Sequence, residues 1–187
     1  IDIRHMGIQL YSNSTNNTIL NNKITRIRYD GICLWKSSND NLVSNNMITN
    51  ITSDGIDISE SVGNIIERNV FMENQCGIRI ARTSQYNRIF NNSFVDCSGY
   101  GAYDWGSNNY WDDGVSRGNY WDRYDYNPPD AEIIDGVWDT QHSIEGGGVD
   151  HYPLLYPCMI PSVPENFRAT IRGQEIVLTW DSPLSEG

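Results

Sequence analysis

The chain is short of positive charge. Lysine and arginine number 13 against 24 aspartates and glutamates, so the formal net charge is −11, and the pI is near 4.5. That balance argues against nucleic acid and anionic membranes as partners, since both demand a positive footprint. Long apolar runs are lacking too. Nothing approaches the roughly 20 residues of a membrane-spanning helix, so no membrane span is expected here. Helix-forming stretches are scarce, because apolar residues do not recur at the helical period and runs such as SNSTNN and SSNDN form helices poorly. Four cysteines and three histidines lack the close pairs of a zinc site. An acidic, Asn-, Tyr- and Trp-rich chain with few lysines suits an extracellular surface protein.

What the chain has is a repeat. Gly7, Gly31, Gly55, Gly77 and Gly101 open five copies of one pattern at intervals of 24, 24, 22 and 24 residues. A fixed period in this range signals a solenoid, whose units bury their apolar faces against one another. After each glycine, apolar residues alternate: Ile8 and Leu10, Ile32 and Leu34, Ile56 and Ile58, Ile78 and Ile80. Period two is a strand with one face inward. A second apolar column follows Asn17, Asn41, Asn64 and Asn87 by two residues. Five after these come Asn22, Asn46, Asn69 and Asn92, and seven after come Ile24, Ile48, Phe71 and Phe94. Three short strands per unit predict an all-β fold, a right-handed parallel β-helix of about five coils. The asparagine columns are expected at tight bends, where Asn tolerates the left-handed region, and as ladders bonding from coil to coil.

The two ends differ from the middle. Ile3-Arg4-His5-Met6-Gly7 matches Ile27-Arg28-Tyr29-Asp30-Gly31, so the chain is expected to start mid-coil, as part of a longer β-helix. In the fifth unit Asp104 stands where Ile80 stood, which breaks the apolar column. The aromatic, Gly- and Asp-rich stretch that follows is expected to cap the solenoid. Cys76 and Cys97 fall near one corner of adjacent coils at different offsets, which leaves open a disulfide or a core place for Cys97 beside Ile27 and Ile51. Sequons at Asn13, Asn16, Asn50 and Asn91 allow glycosylation where the host glycosylates surface proteins.

Asn-x-Ile-x-x-Asn coils, then NYWDDG, GNYWDRYD and GGGVDHYPL, resemble the NosD-like β-helix proteins, a carbohydrate-binding and sugar-hydrolysis type within the pectate-lyase-like fold. The resemblance covers about residues 1–156 and implies an extracellular, cell-surface or periplasmic place. An acidic stretch of the family's tail reads DAEIIDGVWD here. Asp130, Asp135 and Asp139 could hold a hard cation such as calcium, or form a solvated loop. The family name implies copper handling, but His5, His142 and His151 are scattered and no Met cluster joins them. Residues 157–163 read as a linker. Residues 164–187 resemble the opening two strands of a fibronectin type III module, with Trp180 as its core tryptophan.

Stacking the coils turns each offset from the glycine into a column. One outer face then collects Tyr11, Trp35, Trp105, Asp30, Asp54, Asp57, Glu60, Arg79 and Arg82. Rings beside charged groups suit a sugar, so Tyr11, Trp35, Asp57, Arg79, Arg82 and Trp105 are the candidate glycan contacts. Alternatively, Tyr11 and Trp35 only cover the sheet, while Asp57–Arg79 and Glu60–Arg82 are cross-coil ion pairs. The expected role is a structural, carbohydrate-binding, non-catalytic module whose partners are a polysaccharide and neighbouring surface-protein modules. A lyase or hydrolase using Asp54, Asp57, Glu60 and Arg79 is the alternative, because glycoside cleavage needs paired carboxylates. The polygalacturonase-like signatures are absent, and copper delivery is a weaker third reading.

Overall fold

The computed structural model describes residues 6–123 and 131–158, and the backbone of 168–172 and 175–179. Each coil supplies short strands on successive faces. The first holds β1 (Ile8–Tyr11), β2 (Thr18–Leu20) and β3 (Lys23–Thr25), and the second β4 (Ile32–Trp35), β5 (Leu42–Ser44) and β6 (Met47–Thr49). The third holds β7 (Asp54–Ser59), β8 (Ile65–Glu67) and β9 (Val70–Met72), and the fourth β10 (Cys76–Ile80), β11 (Arg88–Phe90) and β12 (Ser93–Val95). The fifth keeps β13 (Tyr100–Asp104) and β14 (Tyr120–Trp121). Three parallel sheets result: β1-β4-β7-β10-β13, β2-β5-β8-β11 and β3-β6-β9-β12-β14. Register follows the glycine period: Ile8 pairs with Ile32, Ile32 with Ile56, Ile56 with Ile78 and Ile78 with Ala102. The fold is the expected parallel β-helix.

The alternating residues point inward, and Ile32, Leu34, Ile56, Ile58, Ile78 and Ile80 are fully buried. The glycines are required by stacking. A Cβ on Gly31 would sit 2.6 Å from the Gly55 carbonyl oxygen and 2.9 Å from Ile48, closer than side chains approach, so each coil can lie on the next only where the side chain is missing.

Both asparagine columns are ladders. Asn17, Asn41, Asn64 and Asn87 each donate Nδ2 to the Oδ1 of the next rung at 3.0 Å, the last to Asn109. Asn22, Asn46, Asn69 and Asn92 do the same, the last to Asn119. Each accepting Oδ1 also takes the backbone N–H of the rung before, as Asn69 takes that of Asn46 at 2.9 Å. The rungs themselves are not the left-handed residues. That conformation falls one residue earlier, at Asn16, Asp40, Gly63, Tyr86 and Asn108 before one ladder and at Asn21, Asn45, Arg68 and Asn91 before the other. The bend and the bond are thus divided between neighbours. A short serine ladder lies at another corner, where Ser38 N–H donates to Ser61 Oγ and Ser61 N–H to Ser84 Oγ.

Both long ladders end on a buried aspartate. Asn109 Nδ2 donates to Asp104 Oδ1 at 3.0 Å, and Trp111 Nε1 donates to Asp104 Oδ2 at 2.8 Å. The backbone N–H of Asn119 donates to Asp150 Oδ2 at 2.7 Å, and Trp121 Nε1 to the same oxygen at 3.0 Å. Asp104 therefore replaces a core isoleucine because the last rung needs an acceptor. Rings close the core above it: Phe71 stacks on Phe94 at 5.0 Å, Phe94 on Trp121 at 4.3 Å, and Trp121 on His142 at 4.4 Å.

Beyond the coils, β15 (Ile133–Ile134) and β16 (Val137–Trp138) form an antiparallel hairpin, as do β17 (His142–Ser143) and β18 (Val149–Asp150). All four cysteines are free, and Cys97 takes the core place beside Ile27 and Ile51. β19 (Arg168–Arg172) and β20 (Glu175–Thr179) pair antiparallel, a pairing common to many β modules. Trp180 and Asp130 lie outside the described residues.

Asn69→Ala strands the buried Asn46 N–H, at about 1–3 kcal/mol, and removes the amide's bonds to Val43, Glu67 and Asn92; urea denaturation followed by circular dichroism is expected to show a clear stability loss, larger than that of Asn17→Ala at the exposed end. Burial pushes the Asp150 carboxyl up to about 6 despite its donors, whereas an unfolded aspartate titrates near 3.9. The folded state therefore holds a proton that the unfolded state has released, and this contribution to stability is lost as pH rises from about 4 to 6. The stability deficit of Asp150→Asn relative to wild type is expected to shrink across that window and level above it.

Candidate functional site

The outer face of β1-β4-β7-β10-β13 has large side chains at both ends and small ones between. In the column four residues after the glycine stand Tyr11, Trp35, Ser59, Ala81 and Trp105, with Tyr11↔Trp35 and Trp35↔Ser59 in direct register. At one end Tyr11 and Trp35 meet edge to face, centroids 5.4 Å apart. At the other, Tyr100 and Tyr103 lie 4.6 Å apart and Tyr103 stacks on Trp105 at 5.1 Å. Tyr11, Tyr100 and Trp105 are 43%, 50% and 44% exposed, far more than rings that only cover a core. Three coil steps separate Trp35 from Trp105, about 14 Å at the usual strand spacing. Ser59 and Ala81 floor the interval as a shallow trough.

Charged groups line the trough beside that floor. Arg79 pairs with Asp57 across one coil step, Nη2 to Oδ1 at 3.2 Å, and its Nε clasps Asp54 Oδ2 as well. Asp57 also accepts from Ser59 Oγ at 3.1 Å. Asp30, Asp54 and Asp57 are buried. Burial pushes Asp57 up to about 6, although Arg79 pulls the other way. Asp54 is raised by the same burial, against its Arg79 hydrogen bond. The buried Cys33 thiol is pushed up to about 12 by desolvation and then by Asp57 and Asp30.

The structure brings Asp54, Asp57 and Arg79 into one cluster, with Tyr11 and Trp35 at one rim and Trp105 at the other. Glu60 and Arg82 are exposed at the corner beyond the strands, and Glu60 turns the chain there with φ 50°. Among the described residues they form no ion pair, so that half of the expected cross-coil pairing fails while Asp57–Arg79 forms. Sequence reasoning missed Lys36, whose Nζ donates to Tyr11 Oη at 2.8 Å and lies 5.2 Å from the Trp35 ring centre. Its position one residue after Trp35 was the available signal. Tyr100 and Tyr103 were also missed, although they stand in the columns of Asp54 and of Asp57 and Arg79.

The metal candidates separate. Asp135 sits in the Asp135-Gly136 hairpin turn with φ 52°, and Asp139 Oδ1 accepts the Glu132 N–H at 2.9 Å. Among the described residues the acidic and thiol ligand atoms that gather within 4.8 Å are those of Asp30, Cys33 and Asp57. Two hard carboxylates, one held by Arg79, and a protonated thiol do not match the imidazole, thioether or thiolate donors that copper prefers. His142 lies on Trp121, and His151 Nδ1 contacts Asp112 Oδ2 at 2.8 Å. The described residues therefore do not fit a copper site.

The family model described as "Periplasmic copper-binding protein (NosD)" matches residues 1–126. No curated protein matches the chain. Among solved structures, the crystal structure of the periplasmic alginate epimerase AlgG is similar, with 26% sequence identity and a TM-score of 0.51. The match covers 55% of this chain and 24% of that one, so the chain spans about a quarter of that protein's length. The stacked coils, the asparagine ladders and a family match over more than half of the sequence place the chain in the NosD family of β-helix proteins.

Proposed function

We propose that this protein works outside the cytoplasm as a carbohydrate-binding β-helix, gripping a polysaccharide along the β1-β4-β7-β10-β13 face without cleaving it. The observation that supports this reading is the trough, with exposed rings at both ends, a floor of Ser59 and Ala81, and fixed charges beside it. Rings present apolar surface to sugar faces, and Arg79 and Lys36 offer bonds to hydroxyls. The face also runs across five stacked strands, a length that suits a polymer. The similarity to a periplasmic alginate epimerase is consistent with a polysaccharide ligand and with that location.

A second reading, lyase or hydrolase chemistry at Asp54, Asp57 and Arg79, is favoured by one observation: a carboxyl pushed up to about 6 sits beside a guanidinium. A group titrating there can exchange protons near neutrality. Against it, Arg79 is clasped by both aspartates, and the Asp57 carboxylate is buried beneath Arg79 and Ser59. These groups are committed to one another, which suits a rigid binding surface better than a reacting one.

On a glycan array, wild-type protein is expected to retain a subset of polysaccharides, and Trp35→Ala to weaken the retained ones at least tenfold, about 1.4 kcal/mol. Unchanged binding would remove the trough from the reading. Turnover of an acidic or neutral polysaccharide that disappears in Asp57→Asn would replace binding with catalysis.

A further inference from the structure

The outer side of the β1-β4-β7-β10-β13 sheet buries more negative charge than its arginine offsets. Asp30, Asp54 and Asp57 are each only 7% exposed. Arg79 pairs with Asp54 and with Asp57. Asp30 meets no cationic side chain among the described residues, and its Oδ1 accepts the Asp54 N–H at 3.3 Å. A buried carboxylate is costly without a cation beside it. Three carboxylates around one guanidinium therefore leave a surplus of negative charge, centred on Asp30.

A thiol stands in the same place. Cys33 is in register with Asp57 across one coil step and follows Asp30 by three residues. It is 1% exposed, yet it is not part of the hydrophobic core. Its column is the outward one that also holds Gln9, Asp57, Arg79 and Tyr103. The other buried thiols have hydrogen-bond partners. Cys76 Sγ donates to the Ile78 carbonyl at 3.3 Å, and Cys97 meets the backbone of Asn74 and Val95. Cys33 Sγ has no such partner among the described residues. Instead, the ligand atoms of Asp30, Cys33 and Asp57 lie within 4.8 Å of one another. Packing does not account for a desolvated, unpartnered thiol set among carboxylates.

We propose that Asp30, Cys33 and Asp57 bind a zinc ion. Zinc accepts thiolate and carboxylate donors together, and three protein ligands leave its fourth tetrahedral position to water. Calcium takes oxygen ligands and would leave the thiol unused. Zinc bonds of about 2.0–2.3 Å set tetrahedral ligand atoms about 3.3–3.8 Å apart, so the three side chains need to close by only about 1 Å. On binding, the Cys33 proton passes to solvent. The ion's charge then offsets the surplus at Asp30, while Arg79 keeps Asp54. The site lies beneath the trough and does not depend on what the trough binds.

Equilibrium dialysis of the whole 187-residue chain, stripped with a chelator and then returned to zinc, tests the site. Cobalt(II) in a parallel arm reports the sulfur ligand through its thiolate charge-transfer band. Wild type is expected to retain a single zinc ion per chain and to show the cobalt band, which added zinc abolishes. Cys33→Ser is expected to remove the band and to lower zinc affinity roughly tenfold or more, since losing even an outer partner of a metal costs that much. Asp30→Asn keeps the shape and removes the surplus charge. It is expected to lower zinc affinity by a similar factor without lowering the melting temperature of the metal-free protein, so the site stays testable if Cys33→Ser folds poorly. His151→Gln and Cys158→Ser are expected to leave binding and band unchanged. No zinc on wild type, a band that survives Cys33→Ser, or equal affinity in Asp30→Asn would overturn the proposal. So would calcium held as tightly as zinc, which would mark a site of carboxylates alone. None of these outcomes bears on glycan retention by the trough.

Discussion

Solenoid corners leave backbone and amide groups buried without the partners that a strand ladder provides, and the rest of this molecule depends on how those groups are satisfied. Asn46, Asn64, Asn69, Asn87, Asn92 and Asn119 are completely buried. Each is tolerable only because a neighbouring coil completes it. Asn69 illustrates the economy: its Oδ1 accepts twice from Asn46, while its Nδ2 donates to Asn92, to Val43 and to its own coil at Glu67. No coil can be removed without leaving such groups bare, so stability belongs to the stack rather than to any unit.

A ladder of identical amides has a direction, and direction creates an end. Every rung donates toward the C-terminal side, so the last rung needs an acceptor that asks for nothing back. Carboxylates meet that need, and Asp104 and Asp150 occupy the two positions, each also taking an indole N–H from Trp111 or Trp121. The cap's tryptophans are thus tied to the coils by polar bonds while their rings continue the Phe71–Phe94 stack. The second terminator comes from β18, far along the chain. The Asp150 carboxylate also packs against Gly118, where any side chain would collide with it. The returning strand is therefore part of how the solenoid ends.

Much of this was legible in the sequence, because in a stacked repeat spacing becomes geometry. The glycine period gave the register residue for residue, and the columns from Asn17 and Asn22 gave the ladders as far as Asn87 and Asn92. Legibility failed where spacing changed. Asn109 and Asn119 are rungs, but the inserted loop doubles their separation and hides them. Asp150 joins a rung 31 residues away, which no period records. The left-handed bends were misplaced by one residue, since the sequence shows an asparagine-rich corner but not which asparagine bends. On the sheet face the columns assembled Asp54, Asp57 and Arg79 correctly, yet the clasp of Arg79 on Asp54 is diagonal and follows from side-chain reach rather than register.

The division between inner and outer columns explains how one scaffold carries different surfaces. Inward positions are fixed by packing, and corner positions by the ladders. The outward positions of β1-β4-β7-β10-β13 answer to neither demand, and they vary most from coil to coil: Gln9, Cys33, Asp57, Arg79 and Tyr103 occupy one column. Even so, Asp57 and Cys33 are buried there, because their larger neighbours close over them. A carboxylate held in that way needs a partner, and Arg79 supplies it from the next coil. The charges of the trough are therefore immobilised by one another before any ligand arrives, so on the proposed reading a sugar meeting them would lose little to the ordering of protein side chains. Rigidity of the face is inherited from the stack beneath it, and the asparagine ladders that hold the coils in register also hold the rings of Trp35 and Trp105 at a fixed separation.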